Sequence, residues 1–82
     1  MEGRKELLKY RVKRTLECML RNGGTKEMAM AYFQGLRGGS DNWEELLEVV
    51  QKVYEELGRP EVLQKEITVL KYDVDYQKNI NK

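Results

Sequence analysis

Three breaks govern what this chain can become: Gly23-Gly24, Gly38-Gly39, and Gly58 followed by Pro60. Glycine reaches the backbone conformations that end helices, and proline cannot continue a helical hydrogen-bond ladder. Between the breaks, apolar residues recur at steps of three and four, the period of one helical face. Four short amphipathic rods follow, and the expectation is an all-α fold: a small three- to four-helix bundle whose C-terminal helix either packs or projects for dimerisation. The 82 residues suit one domain, expected over 1–76, with a polar, frayed tail over 77–82.

The first helix is expected from about Glu2 to Asn22, with Leu8, Val12, Leu16, Met19 and Leu20 as its inner stripe. Thr25 suits the N-cap of a second, Lys26 to Arg37, whose stripe is Met28, Tyr32 and Leu36, widened by Phe33. Asp41 with Glu44, or Asn42 with Glu45, can box the start of a third helix carrying Trp43, Leu47, Val50, Tyr54 and Leu57, flanked by Leu46 and Val53. From Pro60 to about Asp75, Leu63, Ile67, Leu70 and Val74 keep a helical period, although Ile67 to Tyr76 is rich in residues that strands prefer. Alternation fails there, because Ile67 and Val69 have one parity while Leu70, Tyr72, Val74 and Tyr76 have the other.

A domain this small buries only about 60–65% of the surface its unfolded chain exposes, so pairing with a second copy would add stability. Leu63, Ile67, Leu70 and Val74 are the candidate dimer stripe. The net charge is +1, and there is neither an apolar run near the roughly 18 residues of a membrane span nor a signal-peptide pattern, which predicts a cytoplasmic protein that does not bind membranes. Cys18 is the single cysteine. Its neighbours Leu16, Met19 and Leu20 predict a buried, inert thiol in a reducing compartment.

The chain contains no histidine, which removes the commonest general base and metal ligand, so no enzyme, cofactor or metal site is expected. Asp73, Asp75, Gln77 and Asn79 echo the alternating oxygens of a calcium loop, but Lys78 stands where its glycine belongs and the twelfth position is missing. Gly23-Gly24-Thr25 precedes a helix without the lysine or spacing of a phosphate-binding loop, and a helix stop followed by an N-cap accounts for it.

Charge is the informative pattern. Residues 1–22 carry a net +4, and residues 40–58 a net −5. Asp41, Glu44, Glu45, Glu48, Glu55 and Glu56 fall in one arc opposite the Trp43-Leu47-Val50-Tyr54 stripe. Lys13, Glu17 and Arg21 form an i, i+4 series able to pair within the first helix, while Arg4, Lys5 and Arg11 border its apolar stripe. Such faces can be solvated surfaces whose opposite charges steady the packing of two helices. They can also select partners.

The function expected on these grounds is a non-enzymatic protein–protein interaction module: a small regulator, adaptor or inhibitor, a class that includes the kind phages or mobile elements encode. Its acidic face would meet a basic patch on another protein. The alternative is a nucleic-acid-binding protein that lays its first helix on the phosphate backbone through Arg4, Lys5, Tyr10, Arg11, Lys13 and Arg14. A helix-turn-helix built from the second and third helices would present the net −5 to the phosphates and be repelled. Trp43 and Tyr54 are candidate aromatic anchors for an interface, although a large aromatic at helical spacing is usually a core residue.

Overall fold

A computed structural model describes residues 2–80. Four helices account for nearly all of them: α1 (Glu2–Arg21), α2 (Lys26–Gly38), α3 (Trp43–Glu56) and α4 (Glu61–Ile80), with no strand among the described residues.

The glycine breaks behave as their chemistry requires. At the end of α1, the Gly24 N–H donates to the Met19 carbonyl (3.0 Å) and the Gly23 N–H to the Leu20 carbonyl (3.4 Å), with Gly23 at φ +118°. The same six-to-one and five-to-two pattern closes α3, from Arg59 to Tyr54 and Gly58 to Glu55, with Gly58 at φ +83°. Thr25 Oγ1 accepts from the Met28 N–H, and Asn42 Oδ1 accepts from the Glu45 N–H, each at 3.1 Å. Of the two caps the sequence offered for α3, Asn42 is the one used.

The helices pack as a ring in the order α1, α3, α4, α2, which sets α1 and α4 diagonally opposite with no close backbone approach between them. Lys5 pairs with Glu48 and Lys13 with Glu56, both 43 residues on, so α1 and α3 run parallel and in register. α4 runs antiparallel to α3, bringing Lys78 to Glu44. One core joins all four helices: Val12, Leu16 and Met19 from α1, Ala29 and Phe33 from α2, Leu46, Val49, Val50 and Val53 from α3, and Leu63, Leu70 and Val74 from α4.

Several expectations are corrected by this packing. α4 is a packed member of the bundle: Leu63, Leu70 and Val74 are buried in their own chain's core and Ile67 packs against it, so this stripe is not free to pair with another copy. α4 also continues through Ile80, so residues 77–80 are helix rather than frayed tail, steadied by the Lys78–Glu44 pair; residues 81–82 lie outside the described residues. The α3 stripe is turned from the expected line, since Leu46, Val49, Val50 and Val53 are buried while Trp43, Leu47, Tyr54 and Leu57 are half-buried. A helix held between two neighbours buries a wider arc than one line of residues. Cys18 is exposed, because it sits about 100–160° around the helix from Val12, Leu16 and Met19. No helix is long and apolar enough to cross a membrane among the described residues.

Candidate interaction surface

The two charged helices meet along one seam. Lys5 Nζ lies 2.9 Å from Glu48 Oε1, Lys13 Nζ lies 3.1 Å from Glu56 Oε1, and Lys9 pairs with Glu56 as well. Lys9 and Lys13 together hold the Glu56 carboxyl below the ordinary glutamate range, and Lys5 does the same for Glu48. Glu48 in turn raises the Lys5 ammonium above its ordinary value. The expected Lys13–Glu17–Arg21 series forms no ion pair, because Lys13 reaches across to α3 instead.

Two further acidic residues of α3 have partners: Glu55 meets Arg59 at 2.7 Å and Glu44 meets Lys78 at 3.2 Å. The Glu55 contact raises the Arg59 guanidinium above its ordinary value. Of the six carboxylates predicted as a docking face, Asp41 and Glu45 alone form no ion pair among the described residues. The acidic face exists, but the chain's own cations answer most of it.

The first helix divides its cations by type. Its three lysines turn towards α3, whereas Arg4, Arg11, Arg14 and Arg21 are exposed and enter no ion pair among the described residues. The division follows from the heptad rows of a helix. Arg4, Arg11 and Cys18 form one outward row, and Leu7, Arg14 and Arg21 form the next. Tyr10 borders the second row, 60% exposed beside Leu7 at 61%. Arg14 Nη1 and Tyr10 Oη lie 3.5 Å apart. From Arg4 to Arg21 this strip runs about 25 Å at 1.5 Å per residue.

Of the residues predicted as nucleic-acid contacts, the structure therefore keeps Arg4, Tyr10, Arg11 and Arg14 together on one face and diverts Lys5 and Lys13 into the bundle. Arg21 and Leu7 join that face unpredicted, although their seven-residue spacing from Arg14 carried the signal.

A separate hollow of 770 Å³ opens between the first turns of α2 and α4, lined among others by Lys26, Met30, Val62, Lys65 and Glu66. Among the described residues no group of three His, Cys, Asp or Glu side chains could hold a metal ion. Comparison of the chain with protein-family models, with curated proteins and with solved structures finds no match.

Proposed function

We propose that this chain is a non-enzymatic binding module, a small regulator, adaptor or inhibitor, whose working surface is the outward face of α1 and whose partner presents negative charge to it. One observation carries the reading: four arginines share a face with no carboxylate paired to them among the described residues, while the lysines of the same helix are tied to α3. A guanidinium left unpaired on a helix beside an exposed tyrosine and leucine is the composition from which binding hot spots are drawn. The acidic face of α3 is the weaker candidate, because a basic partner would have to compete with Lys5, Lys9, Lys13, Arg59 and Lys78 for its carboxylates.

Retention on an immobilised polyanion such as heparin at low salt tests this reading. The wild-type chain is expected to be retained, R11E/R14E to elute early, and E44K/E55K to be retained at least as long. Co-elution of R11E/R14E with the wild type, or passage of the wild type without retention, contradicts it.

A further inference from the structure

The geometry points to the phosphate backbone of a nucleic acid as the partner of the α1 face, through Arg4, Arg11, Arg14 and Arg21; this rests on the reading just proposed. Three observations favour phosphates over the carboxylates of an acidic protein. The first is shape: the face is the convex outer side of one helix, about 25 Å long. A backbone of evenly repeated charges can follow such a rod.

The second is composition. Protein interfaces centre on a desolvated apolar core, and Leu7 and Tyr10 are the exposed large apolar residues of this helix, set among four guanidinium groups. The third is donor chemistry. Guanidinium offers two parallel N–H donors that match two phosphate oxygens, and it is more weakly hydrated than ammonium, so it gives up water at lower cost. On α1 the compact ammonium groups go to the carboxylates of α3, and the forked donors stay outside. Tyr10, with its ring exposed, adds a surface on which an unpaired base can stack.

Contacts to phosphates position a nucleic acid without reading its sequence. Each neutralised phosphate of duplex DNA contributes a slope of about −0.9 to log affinity against log salt, so four contacts give about −3 to −4, with a dissociation constant in the range of roughly 1–100 µM.

The test uses the full chain with fluorescently labelled random-sequence duplex DNA, its single strand, and poly-glutamate of matched length, in a salt series followed by anisotropy. Expected are binding of duplex DNA with that slope and of the single strand with a slope of about −3, a duplex slope about two units shallower and an affinity about tenfold lower for R11A/R14A, and slowed maleimide labelling of Cys18 when duplex is bound. Cys18 lies in the arginine row, so its protection reports which face is covered. Circular dichroism confirms that R11A/R14A is folded, and K71A, on the exposed surface of α4, serves as a charge control expected to match the wild type. Poly-glutamate bound as tightly as DNA, or DNA binding unaltered in R11A/R14A, overturns the nucleic-acid inference. The first of these outcomes leaves α1 as an anion-facing surface for an acidic protein. Failure to bind either polymer at low salt removes the working-face reading as well.

Discussion

Glu66 lies on the core side of α4 between Leu63 and Leu70, and it is 6% exposed without an ion pair among the described residues. Its stem is buried with the core while its carboxylate opens on the hollow between α2 and α4, so the charged end is only partly hydrated. Replacing it by an apolar residue of similar length should therefore stabilise the fold: Glu66→Met is expected to raise unfolding free energy by about 1 kcal/mol, read as a higher urea midpoint. A lower midpoint would mean that the carboxylate has a partner worth more than the methyl-thioether packing. Neither this burial nor the exposure of Cys18 follows from sequence neighbours alone. Both depend on where a residue sits around its helix relative to two packing partners: Glu66 lies within the arc between α2 and α3, and Cys18 lies outside every such arc.

Helix boundaries were the legible part of the elements, because they are set locally. Gly23 and Gly58 adopt positive φ where α1 and α3 stop, and Thr25 and Asn42 cap where α2 and α3 start. The facing of each helix was less legible. The apolar arc of α3 spans both its α1 side and its α4 side, so the line through Trp43, Leu47, Val50 and Tyr54, with Leu46 and Val53 beside it, included three of the four buried residues and missed Val49. The far end of α4 looked polar, yet it is ordered by contacts with the start of α3 that are remote in sequence. Two glycine substitutions separate the roles of local backbone chemistry. Gly35 lies within α2 with nothing near the position of a Cβ, so Gly35→Ala should stabilise by about 0.5–1 kcal/mol. Gly58 is equally uncrowded but sits at φ +83°, so Gly58→Ala should destabilise by about 1 kcal/mol. Thermal unfolding of the two variants in parallel checks the pair, and shifts of the same sign would show that space rather than φ governs both sites.

Across the whole molecule, the parallel packing of α1 on α3 has an electrostatic cost that the seam must offset, since parallel neighbours align their helix dipoles head to head. Lys5, Lys9 and Lys13 against Glu48 and Glu56 supply cross-helix attraction along that line. The opposed charges of the two helices were visible in the sequence, but their register was not, because it is fixed by core packing between segments 43 residues apart. The folded state holds the Glu48 and Glu56 carboxyls below their ordinary range, so it favours their ionised forms. Their contribution is complete above the ordinary glutamate pKa and is lost as pH falls through the depressed values. Lys5 is raised, so its share is intact below the ordinary lysine range and is lost only at strongly alkaline pH. The double variant E48Q/E56Q keeps shape and removes charge. It should unfold at lower urea than the wild type at neutral pH, and the gap should narrow as pH falls below about 5 and close under strongly acidic conditions. Raising salt from about 0.1 to 1 M at neutral pH should shrink the same gap, because pairs this exposed are screened. A gap that persisted unchanged in acid would mean that the seam is held by packing of the side-chain stems rather than by charge.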